Sequence, residues 1–312
     1  MTAFAFVFPG QGSQSVGMLD AWGDHPAVTS TLAEASAALG EDVAALIRGG
    51  PKEQLDLTTN TQPVMLAAGV ACYRAWVAET GLRPARVAGH SLGEYTALVA
   101  AGALEFVDAL PLVRFRAAAM QDAVPVGVGA MAAILGLDSQ SVREGCAELT
   151  AATGEVVEAV NFNDPRQTVI AGTKSGVEQA CVAFKARGAK RALQLPVSAP
   201  FHSSLMRPAA ERLKARLAEV PFSPPAIPVV NNVDVRCEDE PQRIRDALYR
   251  QAFMPVRWVE VVQALRGQQL GCILECGPGK VLAGMAKRID DEIVTASVFD
   301  PESLAQARAL LA

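Results

Sequence analysis

Residues 86–102 read RVAGHSLGEYTALVAAG and hold Ser91 in the frame Gly89-His90-Ser91-Leu92-Gly93. A serine hydroxyl is a weak nucleophile unless a base takes its proton and donors stabilise the oxyanion its attack creates. A Gly-x-Ser-x-Gly frame supplies part of that chemistry when it joins a strand to a helix. Its glycines allow a tight turn, its hydroxyl stands clear, and the amide of the following residue points at the developing oxyanion. The frame alone is short and arises by chance. Its weight here comes from the apolar run before it and the helical pattern after it, with a plain strand-to-helix turn as the competing reading.

A base must then be found among three histidines, His25, His90 and His202. His90 directly precedes Ser91, and successive side chains at such a turn point apart, so it reads as structural. His25, in the polar stretch GDHPAV, reads as solvated. His202 lies in LPVSAPFHSSLMRPA, between a strand end and a helix start, where loops commonly carry catalytic groups. Elimination leaves His202 as the candidate base, against the ordinary alternative of a structural histidine. Arg114 and Arg116 sit on the largely apolar helix LPLVRFRAAAMQDAV. Either could grip a carboxylate with its fork or snorkel to the surface, and spacing does not choose between them.

Short apolar strands alternate with helical patterns along the chain, which predicts an α/β fold with a mostly parallel sheet. The strands are FAFVF (4–8), RVAGH (86–90), IPVVNNV (227–233) and GCILECG (271–277). Between about 128 and 196 the order is strand, helix, strand, strand, helix, strand, a ferredoxin-like split. Pro125 and Pro196 flank it as hinge points. The expected division is therefore 1–125 with 197–312 as a large discontinuous domain, and 126–196 as an inserted subdomain. The alternative is that these elements extend the main sheet.

The bulk numbers exclude several classes. Half of the 312 residues are hydrophobic and 20% are charged, enough for a sizeable core beneath a water-compatible surface. No apolar run reaches the length of a membrane span, and MTAFAFVFPGQGSQ reads as a first strand rather than a leader, so a cytoplasmic protein is expected. Net charge is −5 without a basic run, so no nucleic-acid partner is expected. Six scattered cysteines read as reduced thiols, and three histidines without an HxxxH pattern give no expectation of a metal. FPGQGSQSVG departs from the dinucleotide fingerprint at Ser15, and ECGPGKV lacks the spacing of a phosphate loop.

FPGQGSQ, TQP, GHSLGEY, VRFRAAAMQDAVPVGVGAMAAILG, PVSAPFHSSLM and ECGPGKVL occur in that order over nearly the whole chain. Together they resemble the malonyl-CoA–acyl carrier protein transacylases of fatty acid synthesis. The resemblance implies a hydrolase-like α/β core with a ferredoxin-like insertion, in agreement with the reading above. It implies that Ser91 is acylated, that His202 is its base, and that the amides of Gln11 and Leu92 form the oxyanion hole. It makes Arg116, rather than Arg114, the partner of the malonyl carboxylate. It places Gln62 and Gln251 in the pocket lining and orients the histidine by a backbone carbonyl near Gln251. Phe201 resembles a bulky residue that leaves little room for a 2-methyl group.

The implied substrates are malonyl-CoA and the phosphopantetheine thiol of acyl carrier protein, with no cofactor. A monomer would suffice. The carrier is usually acidic, so Lys190-Arg191 and Lys287-Arg288 are candidate docking pairs, each with a solvated face as the alternative. The competing readings are a serine esterase or thioesterase, a non-catalytic carrier-binding module, and an acyltransferase of polyketide synthesis or malonate decarboxylation.

Overall fold

The computed structural model of the chain describes residues 2–197, 199–268 and 270–312. Met1, Gln269 and Ser198, the last within the PVSAPFHSSLM motif, lie outside the described residues. Nine strands are named in chain order: β1 Phe4–Phe8, β2 Arg86–Gly89, β3 Gly129–Leu135, β4 Val157–Asp164, β5 Gln167–Thr173, β6 Arg191–Gln194, β7 Val229–Val230, β8 Cys272–Cys276 and β9 Val294–Val298. Five of them form a parallel sheet in the order β7-β2-β1-β8-β9. The other four form a separate antiparallel sheet in the order β4-β5-β3-β6. With helices Ser139–Thr153 and Lys174–Ala186 between its strands, the second sheet is the ferredoxin-like arrangement. It does not extend the first.

Burial explains the central strands. Every residue of β1 and β8 is buried, as expected for strands covered on both faces. Alternation along β1 sends Phe4, Phe6 and Phe8 to one face, where they pack with Trp76 and Tyr73 of helix Thr58–Thr80. Ala5 and Val7 face the other way, toward Trp258, Val261 and Ile273. Large side chains on one face and small ones on the other let helices approach at different distances.

The small sheet also has two covered faces. Ala132, Ile134 and Ile170 meet its own helices through Val142, Val177 and Phe184. Met131, Ala133 and Val169 instead face Met120, Phe201 and Met206 of the large unit. The bond from the Val256 amide to the Val160 carbonyl (2.8 Å), and an ion pair between Asp164, buried, and Arg288 of helix Val281–Ile289, tie the small sheet to the elements flanking the parallel one. The segments following β1, β2 and β7 all emerge at the carboxyl ends of parallel strands, where α/β folds place their sites.

Candidate active site

The turn after β2 is sterically over-determined. A Cβ on Gly89 would lie 1.9 Å from the backbone of Gly93, and one on Gly93 would lie 2.0 Å from the Phe8 carbonyl oxygen. Both contacts are with backbone, which cannot move aside, so only glycine fits either position. Between them Ser91 is held at φ 52°, in the left-handed region that side chains avoid. Asn232, just past β7, clamps the turn from both sides. Its Oδ1 accepts from the Ser91 amide at 2.8 Å, and its Nδ2 donates to the Gly89 carbonyl at 2.7 Å.

Ser91 Oγ lies 2.7 Å from His202 Nε2, and His202 Nδ1 lies 2.7 Å from the Gln251 carbonyl oxygen. A carbonyl only accepts, so Nδ1 carries the proton and Nε2 is left to accept the serine's. Burial first, and then the positive charge of Arg116, push the imidazole down to about 3. His202 is therefore neutral at physiological pH and ready to act as a base. It too has a left-handed backbone, at φ 64°.

Arg116 enters from helix Phe106–Asp122 and is only 2% exposed. Its terminal nitrogens donate to Gln62 Oε1 at 2.8 Å, Gln251 Oε1 at 3.0 Å and Ser91 Oγ at 3.1 Å, and the guanidinium lies over the Tyr95 ring. Among the described residues no carboxylate ion-pairs with it, and its Nε–H has no partner. Burial disfavours its charge. Arg114, two residues earlier, points outward to a bidentate pair with Glu41. That separates the two arginines.

A small cavity of about 120 Å³ unites these groups. It is lined by Gln11, Gln62, Ser91, Leu92, Arg116, Phe201 and His202, all expected from the sequence, and by His90, Met120, Met131, Asn161, Leu195 and Val197. Gln251 sits immediately behind, fully buried. The turns after β1 and β2 touch, since a Cβ on Gly10 would meet the His90 carbonyl oxygen at 2.5 Å. Among the described residues the amides of Gln11 and Leu92 have no intramolecular acceptor.

Other expectations divide. His90 is structural, bonded through Nε2 to Asn163 Oδ1 at 2.8 Å and packed on Trp258. His25 is partly exposed and also structural: its Nδ1 accepts from the Ala27 amide to cap helix Pro26–Leu39, and its Nε2 meets Glu79 at the surface. All four basic residues of the candidate docking pairs are exposed; Lys287 and Arg288 also bond within the fold, Lys287 to the Asp291 carbonyl and Arg288 to Asp164. The sequence reading missed Asn232, Asn163 and the buried Glu94. Their signal was polarity out of place, namely Asn231-Asn232 closing an apolar strand and one carboxylate in the apolar helix Gly93–Ala100. Among the described residues no cluster of three metal-ligating side chains occurs, and no helix is long and apolar enough to cross a membrane.

Residues 5–298 match the model of the acyl transferase domain family. The chain is 54% identical over 308 residues to the malonyl CoA-acyl carrier protein transacylase of Escherichia coli K12, covering 98% of this chain and 99% of that protein. A crystal structure of the acyl-carrier-protein S-malonyltransferase of Burkholderia pseudomallei superposes with a TM-score of 0.96 at 64% identity, over 98% of this chain and 99% of that one. A malonyl-transacylase solved with a type II PKS acyl-carrier protein matches with a TM-score of 0.96 at 50% identity, over 98% and 99% of the two chains. An α/β hydrolase-like core with a serine, a histidine and a buried arginine in one cavity thus defines an acyltransferase. The chain belongs to the malonyl-CoA–acyl carrier protein transacylase family.

Proposed function

We propose that the protein moves the malonyl group of malonyl-CoA onto the phosphopantetheine thiol of acyl carrier protein through a malonyl ester on Ser91, supplying fatty acid biosynthesis. One observation carries the reading: a buried arginine stands 3.1 Å from the hydroxyl of a histidine-bonded serine. Serine and histidine suffice for an esterase. A cation beside them selects an acyl group that bears its own carboxylate.

Ser91 Oγ attacks the thioester carbonyl as its proton passes to His202 Nε2. The Gln251 carbonyl holds the resulting imidazolium, and the amides of Gln11 and Leu92 receive the oxyanion. Collapse breaks the C–S bond, and the proton returns from His202 to the departing CoA sulfur. A thiol near pKa 8.5 needs little acid assistance to leave, which suits a histidine backed by a carbonyl instead of a carboxylate. The carrier's thiol then gives its proton to His202, attacks the ester and restores Ser91. Met120, Met131, Leu195, Val197 and Phe201 keep water from the ester, and Phe201 crowds the position of a 2-methyl substituent. Gln62 steadies Arg116.

In this reading one chain holds the whole site and acts as a monomer in the cytoplasm without a cofactor. Residues 126–196 form the inserted subdomain, joined at both ends to a core of 1–125 and 197–312. The test is incubation with malonyl-CoA and holo-carrier, followed by the carrier's mass. Wild type should yield malonyl-carrier and Ser91→Ala none; CoA release with free malonate and unmodified carrier would mean a thioesterase.

A further inference from the structure

Glu94 is a buried carboxylate that the reaction described above does not use. It lies on the first turn of helix Gly93–Ala100, three residues after Ser91, and is 2% exposed. A carboxylate in such a place is costly unless its oxygens are occupied by donors. Its Oε2 accepts two hydrogen bonds, from the Asn232 amide and from Gln251 Nε2, each at 2.9 Å. Both partners reach directly into the site. Asn232 holds the Ser91 amide and the Gly89 carbonyl. Gln251 accepts a hydrogen bond from His202 Nδ1–H with its main-chain carbonyl and from Arg116 with Oε1, and donates from Nε2 to the Ser91 carbonyl as well as to Glu94. One oxygen therefore lies a single residue away from the nucleophile, the base and the carboxylate receptor.

We infer that Glu94 is a positioning residue for the transfer reaction, locking Asn232 and Gln251 so that Ser91, His202 and Arg116 share one geometry, and supplying the nearby negative charge that Arg116 has before substrate binds. The inference rests on the malonyl transfer proposed above. Arg116 makes no ion pair among the described residues, yet it faces Glu94 across the Gln251 amide. The charged groups acting on Glu94 are Arg116, from helix Phe106–Asp122, and Asp234, from the segment after β7; Asp234 is itself paired with Arg250. Burial raises the Glu94 carboxyl to about 7 against the opposing bonds from Gln251 and Asn232 and the charge of Arg116, so it carries its charge at pH 8.

Two roles are thus combined, and substitution separates them. In Glu94→Gln a carbonyl oxygen with two lone pairs can still accept from Asn232 and Gln251, so the geometry survives while the charge is lost. Two consequences follow, with opposite signs. Without the negative charge the imidazolium formed in the transition state is less stabilised, so acylation slows. Arg116 meanwhile loses a competitor for the malonyl carboxylate, so malonyl-CoA binds more tightly. Glu94→Leu removes both roles and should lose rate and affinity together.

The experiment is stopped-flow CoA release from malonyl-CoA at pH 8, where Glu94 is ionised, without carrier, by the full-length wild type, Glu94→Gln and Glu94→Leu. In Glu94→Gln the acylation rate should fall by about tenfold while the apparent Kd stays equal or falls. In Glu94→Leu the rate should fall by roughly a hundredfold or more and the Kd should rise. A Glu94→Gln enzyme with wild-type rate and Kd would overturn the inference. So would one that loses both together, as a generally loosened site would. If the wild type itself releases no CoA from malonyl-CoA, the proposed function falls and the inference with it. A wild type that acylates beside an unaffected Glu94→Gln removes the inference alone.

Discussion

Replacing Arg116 by methionine keeps much of the side-chain volume and removes the charge. The guanidinium makes three hydrogen bonds, to Gln62, Gln251 and Ser91, and is 2% exposed. When malonyl-CoA enters the variant, its carboxylate meets no cation in a site closed to water. Leaving one member of a buried ion pair unpartnered costs about 3–5 kcal/mol. At about 1.4 kcal/mol per decade, that lowers kcat/KM for malonyl-CoA by roughly two to four orders of magnitude. Acetyl-CoA has no carboxylate, so in the wild type its binding leaves Arg116 buried and unpaired, a penalty that the variant lacks. The malonyl-to-acetyl ratio should therefore fall by at least about a hundredfold, with the acetyl constant unchanged or higher. The fold should persist, because the lost partners of Gln62 and Gln251 are offset by removal of a desolvated cation. Single-turnover CoA release with each thioester measures the ratio. Equal losses for both substrates would refute the reasoning and make Arg116 a structural residue.

Gly93→Ala should cost more than about 3 kcal/mol and abolish activity, because its Cβ would sit 2.0 Å from the Phe8 carbonyl oxygen, whereas Gly267→Ala, with open space around it, should be close to neutral. Urea unfolding of the two variants checks the contrast, and equal effects would contradict it. Glu275 is fully buried, with Oε2 bonded to the Ala283 amide and Oε1 unpartnered among the described residues, and burial pushes its carboxyl from 4.5 up to about 7. The native state thus holds this proton more tightly than the unfolded chain does, so stability falls as pH rises from about 4.5 through about 7, by an amount of order 3 kcal/mol. Relative to wild type, Glu275→Gln should gain stability between pH 5 and pH 8 in urea titrations; a constant difference would sink this assignment. Charge reversal at the exposed Lys190 and Arg191 should raise the KM for carrier several-fold and leave acylation by malonyl-CoA unchanged, and an unmoved KM would place docking elsewhere.

What could be read from the chain depended on how local its cause was. The Ser91 turn was legible because both glycines are required by contacts within a few residues of strand ends. His202 was legible through scarcity, since only three histidines compete. The central strands were legible because burial on both faces leaves a continuous apolar run. IPVVNNV shrank to Val229–Val230, because Pro228 has no amide to donate and Asn232 turns its amide to Glu94. β9 went unread because it is an edge strand, half-exposed and mixed in polarity. Arg114 and Arg116 were indistinguishable by spacing. Their outward and inward directions are set by Glu41 on one side and by Gln62 and Gln251 on the other. Asn232 and Glu94 were missed because they are joined across 138 residues, a separation no local pattern encodes. The group that orients His202 has no local signal in the residues themselves and was implied only by the family resemblance. That group is the Gln251 main-chain carbonyl, and every residue carries one.

The proposed transfer requires Ser91 itself to carry the malonyl group between donor and acceptor. The most direct measurement is intact-protein mass spectrometry after brief mixing with malonyl-CoA in the absence of carrier, on the wild type and on Ser91→Ala. One malonyl adduct is expected on the wild type and none on the variant, with its discharge when holo-carrier is added. An adduct on Ser91→Ala, or rapid CoA release from the wild type without any adduct, would contradict the proposed transfer.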